Sequence, residues 1–157
     1  MKDGQVGSYP EIVDVLARYG AQAKKDAHSL YRRVAFNVLV SNVDDHLRNH
    51  GFLRIDKSGW TLSPAYDLNP VPADLKARIL STNIDLEEST CSIDLLEASA
   101  DYFALSLTEA RSILKQVAVA TSSWRTVALE VGVSSQEIHR MASAFEHDAL
   151  IQALALP

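Results

Sequence analysis

Cysteine occurs once in the 157 residues, as Cys91, so the chain can form neither an internal disulfide nor a cysteine-based zinc site, and it suits a reducing compartment such as the cytoplasm. Long hydrophobic runs are missing too. No stretch reaches the roughly 20 apolar residues that span a bilayer, and Met1-Lys2-Asp3-Gly4-Gln5 carries no apolar segment of the kind a secretory leader needs. These absences predict a soluble, unexported protein with no membrane partner. Basic charge is in short supply. Lys and Arg number 15 against 20 Asp and Glu, and the net charge of −5 argues against a surface built to neutralise nucleic-acid phosphates. Internal repeats and low-complexity linkers are absent. Apolar residues make up 47% of the chain, enough for one domain around one buried core.

The chain reads as mainly helical. Ser8-Tyr9-Pro10-Glu11 has the form of a capping box with proline in the first turn, and it predicts a helix over 10–19 that ends before Gly20. A second helix begins near Ala23 and runs through Leu30, Tyr31, Val34 and Val38. Phe36, Leu39 and Val40 make its second half apolar nearly all round, which predicts a central, buried element. Phe52 to Ile55 and Trp60 to Ser63, joined by Asp56-Lys57-Ser58-Gly59, predict a short hairpin, followed by loop from Pro64 to Pro72. Residues 79–91 fit either a short strand or an irregular crossing segment. Further helices are expected over Ile93 to Phe103 and after the capping boxes at Ser106–Glu109 and Ser134–Glu137.

Polar and ionisable groups crowd into residues 41–52, directly after the buried helix, and loops held by rigid elements are where active sites are usually built. Asp44 and Asn49 are separated by four residues, the Asp-x4-Asn spacing of the protein-kinase catalytic loop. Phosphoryl transfer uses a carboxylate to orient and deprotonate the attacking hydroxyl, and an amide oxygen nearby to hold magnesium on the phosphates. A further oxygen ligand is needed, and Asp67, after the hairpin, stands where the kinase order places a metal-binding aspartate. Spacing alone leaves another reading open, in which Asp44 and Asn49 cap turns and Asp67 starts a turn ahead of Pro70.

Two segments, Asn42-Val43-Asp44-Asp45-His46-Leu47-Arg48-Asn49-His50-Gly51-Phe52-Leu53 and Leu62-Ser63-Pro64-Ala65-Tyr66-Asp67-Leu68-Asn69-Pro70, resemble the C-terminal domain of HipA-like serine/threonine kinases. The likeness begins at Phe36-Asn37 and extends more loosely over the helical remainder. It implies the mainly α C-terminal lobe of a protein-kinase-like fold with a small hairpin beside the catalytic loop. Asp44 would be the catalytic base, His46, Asn49 and Asp67 would face the cofactor, and Asn49 and Asp67 would hold Mg2+. The family's members are toxins of toxin–antitoxin pairs that use ATP to phosphorylate a protein serine, so an antitoxin and a protein substrate are the implied partners. Asn42 replaces the histidine of ordinary protein kinases, and Arg48 stands where the family often has lysine. The family's N-terminal nucleotide-binding lobe has no counterpart in these 157 residues and is expected to be missing. One domain over 1–157 is therefore expected, with catalytic loop 41–52, metal-binding loop 64–70 and helical remainder 92–157. Alone it is expected to be inactive toward ATP, and to recruit an N-terminal lobe, a partner or a second copy through its cleft side. A non-catalytic partner-binding remnant is the alternative.

Three other features have competing readings. His46 and His50, four apart, could ligate zinc with Asp45 or Asp67, although Gly51 ends any helix that would align them, and His46 equally suits loop-orienting hydrogen bonds. Ala128, Gly132 and Ile138 have helix-turn-helix spacing, but the segment from Trp124 on is net acidic, which favours a structural helical pair with Trp124 as its core anchor. Lys24-Lys25 and Arg32-Arg33 read as solvated helix faces or as a site for phosphate or an acidic partner.

Overall fold

The computed structural model describes residues 6–157, and the expectations for Met1 to Gln5 lie outside it. Helix α1 (Tyr9–Tyr19) starts from the Ser8–Glu11 capping box: the Ser8 amide donates to Glu11 Oε2 at 2.7 Å and the Glu11 amide to Ser8 Oγ at 3.4 Å. Helix α2 (Ala23–Leu39) is the central strut, and its Leu30, Tyr31, Val34, Ala35, Val38 and Leu39 are buried. It packs between α1 and α4 (Leu107–Ser122), and α7 (Asp148–Ala155) closes the core against α4. The predicted hairpin forms as β1 (Phe52–Ile55) and β2 (Gly59–Leu62), antiparallel, with Phe52 opposite Leu62 and Ile55 opposite Gly59. Gly59 has φ +120°, and a Cβ there would lie 2.5 Å from the Tyr19 carbonyl oxygen, so this turn against α1 requires glycine.

A buried carboxylate fastens the hairpin to the strut. Asp26, in the first turn of α2, accepts the Thr61 hydroxyl at 2.8 Å and the Leu62 amide at 3.3 Å. Residues 79–91 take the irregular of their two readings: they cross the molecule through isolated bridges, Ser8 with Asn83 and Ile79 with Thr90, and form no strand. The helix expected over 93–103 is broken. It becomes α3 (Ile93–Ala98) and a 3-10 turn (Ala100–Phe103), because the Ser99 hydroxyl donates back to the Leu95 carbonyl at 2.7 Å and Ala104 then turns left-handed at φ 57°.

Helices α5 (Trp124–Glu130) and α6 (Ser135–Phe145) form a hairpin around Gly132. The Ser134 capping box opens α6 as expected, but Trp124 is no core anchor. It is half-buried, stacks on Phe145 with ring centroids 4.4 Å apart, and carries the Arg125 guanidinium on its face. Among the described residues no helix is long and apolar enough to cross a membrane.

The C-terminal end of α2 is closed by side chains from distant segments. Arg78 donates to the Val38 carbonyl at 2.7 Å, and His147 Nε2 lies 3.2 Å from the Leu39 carbonyl, so this nitrogen carries the hydrogen. His147 Nδ1 must then be bare, and it accepts the Leu150 amide at 3.3 Å, capping α7. Burial, reinforced by the Arg78 charge, holds the His147 imidazole below its ordinary value of 6.5. The unfolded chain therefore takes up this proton first, and the stability supplied by neutral His147 is lost as pH falls below 6.5. Thermal midpoints at pH 7.5 and 5.5 should show a larger acid-induced drop in the native protein than in His147→Asn, which keeps a capping oxygen but cannot titrate.

Candidate functional site: a loop pair on a buried carboxylate

Where α2 ends, Ser41 takes a left-handed backbone, φ 55°, unusual for a residue that is neither glycine nor asparagine. It is held there by its hydroxyl, which donates to the Ala144 carbonyl at 2.8 Å and accepts from Arg78 Nε at 3.0 Å. The chain then drops Asp45 into the interior at 1% exposure. One oxygen of that carboxylate, Oδ2, receives the Tyr9 hydroxyl at 2.6 Å, Asn37 Nδ2 at 2.7 Å and His50 Nε2 at 3.0 Å. A carboxylate only accepts, so His50 presents Nε2–H to it, and its buried Nδ1 has no partner among the described residues. The Thr82 hydroxyl donates to the Asp45 carbonyl at 2.7 Å, so the crossing segment grips the same residue from the other side. Burial first, and the Asp45 charge second, push the Tyr9 phenol well above its ordinary value and keep it a donor.

From this anchor an amide relay reaches the second loop. Asn42 donates Nδ2–H to Asn37 Oδ1 at 3.0 Å, and its own Oδ1 accepts the Asn69 amide at 3.3 Å. Two more bonds join the loops: the Val71 amide to the Ser41 carbonyl at 3.1 Å, and the Tyr66 hydroxyl to the Arg48 carbonyl at 2.8 Å. Gly51 allows the close approach, since a Cβ there would lie 2.9 Å from Ser63 Oγ. Asn42, the departure from ordinary protein kinases, is thus a buried strut between the loops.

Asp44 points outward, the opposite of its neighbour Asp45, and its carboxylate lies 3.5 Å from Lys76 Nζ with both side chains more than half exposed. Such a pair contributes little and leaves the carboxylate available. Asn49 is buried in the 3-10 turn Leu47–Asn49, with its Nδ2 3.5 Å from the Asp44 carbonyl, so its amide oxygen faces elsewhere. Asp67 is exposed, left-handed at φ 58°, and accepts Asn69 Nδ2 on one oxygen at 2.7 Å, leaving the other free. These hard oxygen donors suit magnesium better than zinc. His46 does not orient the loop through its side chain as expected. Its carbonyl accepts the Asn49 amide at 2.8 Å, and its buried Nδ1 has no partner among the described residues. His50 gives its Nε2–H to Asp45, and among the described residues no group of three or more His, Cys, Asp or Glu side chains is placed to hold a metal ion, so the zinc reading of His46 and His50 has no ligand set.

The anchoring roles of Asp45, Asn37 and Tyr9 were not read from the sequence, where Asp45 was named only as a possible zinc ligand and Asn37 only as the start of the resemblance. The available signal was Asn37, a lone amide inside the apolar run Val34 to Val40 that would need a buried partner.

Fold and site together define a helical lobe that carries two hydrogen-bonded polar loops with a hairpin between them in the chain. The family model for the HipA-like C-terminal domain matches residues 1–125, and the chain belongs to that family. In fold it is similar to a chain of the Shewanella oneidensis MR-1 toxin–antitoxin complex of HipA, HipB and its operator DNA, with TM-score 0.67 and 24% identity. That match covers 99% of this chain and 35% of the other, so the chain spans about a third of that protein's length. Comparison with curated proteins gives no match.

Removing the Asp45 carboxylate should strand three buried donors at once. Urea unfolding is expected to show a loss of about 3 kcal/mol or more for Asp45→Ala and about 1 kcal/mol for Tyr9→Phe. The double variant should fall short of their sum, since the phenol bond is lost only once.

Proposed function

We propose that this chain is the C-terminal catalytic lobe of an ATP- and magnesium-dependent serine/threonine protein kinase of the HipA type. The observation that supports the reading is the joining of the loop that carries Asp44 and Asn49 to the loop that carries Asp67, by the Asn69, Val71 and Tyr66 hydrogen bonds. Asp44 is the base that orients and deprotonates the substrate hydroxyl. Asn49 and Asp67 hold Mg2+, which when bound neutralises charge on the transferred phosphoryl group. Mobile exposed carboxylates would make poor catalysts. Here the Asp45 anchor and the left-handed turns at Ser41 and Asp67 fix the backbone beneath them. His46, half-buried with Nδ1 unpartnered, completes the cofactor-facing side.

The remaining nucleotide contacts belong to an N-terminal lobe, supplied in the same polypeptide or by another chain. The fold neighbour is recorded in a complex with HipB, which supports an antitoxin-class protein as a partner here and the cytoplasm as the working compartment. The rim side is the surface through which the lobe, a partner or a second copy would dock.

Supplied with an N-terminal lobe, the protein should transfer phosphate from radiolabelled ATP to a serine-bearing protein. Asp44→Asn should lower the rate by about 10²-fold or more while leaving Mn2+ binding, read by electron paramagnetic resonance, unchanged. Asp67→Asn should weaken Mn2+ binding itself. Transfer that survives Asp44→Asn would remove Asp44 as the base, whereas no transfer by the completed protein, or Mn2+ binding indifferent to Asp67→Asn, would remove the kinase assignment and leave a non-catalytic partner-binding domain.

A further inference from the structure

Beside the loop that carries Asp67, three concavities run together along the groove between α2 and α4, with Leu68 and Pro70 of that loop on their wall. The first, about 570 Å³, is lined by Lys24, Lys25, His28 and Arg32. The second, about 430 Å³, shares Ser29 and Arg32 with it and adds Arg33 beside the apolar Phe36, Leu68 and Val117. The third, about 460 Å³, shares Phe36 and Ala120 with the second and ends beneath the α5–α6 hairpin against Trp124, Val127 and Met141. One trough results, cationic at one end and apolar at the other. On a chain of net charge −5 this concentration of cations is against the average.

The basic end is only partly neutralised from within. Glu109 stands near Lys24 and His28, but its carboxylate is engaged with the Ser106 hydroxyl at 2.7 Å and amide at 2.8 Å in the α4 capping box. Arg32 is held by the neutral Gln116, at 3.1 Å. Arg33 donates Nη2 to the Ser63 carbonyl, while its Nη1 is buried with no partner among the described residues. The carboxylates of Asp26 and Asp45 act on the Arg33 charge from within, so Lys24, Lys25 and Arg32 are the cations open to an incoming carboxylate.

We propose that this trough binds a polypeptide segment that is acidic at one end and apolar at the other. Carboxylates would meet Lys24, Lys25 and Arg32, and apolar side chains would cover Phe36 and the wall under α5. Nucleic acid fits less well, because its backbone repeats negative charge at every step and offers nothing to the apolar half, and the net-negative chain repels it. The apolar half is what a protein partner would be selected for. This assignment is independent of phosphoryl transfer.

The test is fluorescence anisotropy of the whole chain with a labelled synthetic peptide whose first half is rich in glutamate and second half in leucine. Controls are the same composition scrambled, the lysine-for-glutamate counterpart, and duplex DNA. The block peptide should bind at least about tenfold tighter than either peptide control and more tightly than the duplex, with salt weakening it. K24E/K25E/R32E and Val127→Glu, all at exposed positions, should each weaken it about tenfold or more, and Asp44→Asn should not. K24Q/K25Q serves if the charge reversal impairs folding, as judged by thermal melting. Equal binding of the scrambled peptide, tighter binding of duplex DNA, or indifference to both sets of substitutions would overturn the proposal. Loss of kinase activity in Asp44→Asn with peptide binding intact separates this assignment from the catalytic one.

Discussion

Taking a carboxylate out of water costs several kcal/mol unless hydrogen-bond donors replace its hydration. Asp45 meets that requirement with donors from three separate places: Tyr9 on α1, Asn37 on α2 and His50 beyond the 3-10 turn. Each would lose a buried bond if the loop moved, so the carboxylate fixes the position of residues 41–50 more firmly than apolar packing could. Hydrophobic contacts tolerate sliding, whereas three convergent bonds to one oxygen do not. Asp44, one residue earlier in the turn at Val43-Asp44, is left on the solvent side of that anchor.

The same device is repeated on a smaller scale along α2. At its start Asp26 takes the amide and hydroxyl of the hairpin, and at its end Arg78 and His147 satisfy carbonyls that helix geometry leaves without amides. The strut is thereby tied to the hairpin, the crossing segment and the last helix. Loops 41–50 and 64–70 hang between these ties. The amide relay through Asn42 transmits the position of Asp45 to the Asp67 loop without any charged group.

Much of the architecture was legible in the chain. The Ser8, Ser106 and Ser134 capping boxes mark three helix starts, and α2 was predicted as central from Leu30, Tyr31, Val34 and Val38. These are local signals, set by side chains reaching backbone within one turn or by helical periodicity. The break at Ser99 was not legible, since its hydroxyl could equally have faced solvent. Nor was the half-exposed position of Trp124, because a large aromatic beside a helical pair can close a core or line a groove, and the packing of α5 and α6 decides between them.

The candidate site divides the same way. Motif spacing together with the family resemblance pointed to Asp44, Asn49 and Asp67 as candidate oxygens and to the loop–hairpin–loop order that carries them. It could not distinguish the roles of two adjacent aspartates, one solvated and one buried, nor separate His46 from His50. Those assignments depend on partners 36 and 37 residues away, Tyr9 and Thr82, and on whether α1 and the crossing segment close over the loop. Local sequence determined the helices, their caps and the residue types at the rim, because these interactions span a few residues. Tertiary structure alone decided which carboxylate is sealed in and which is presented to solvent, because desolvation is a property of everything that packs around a group.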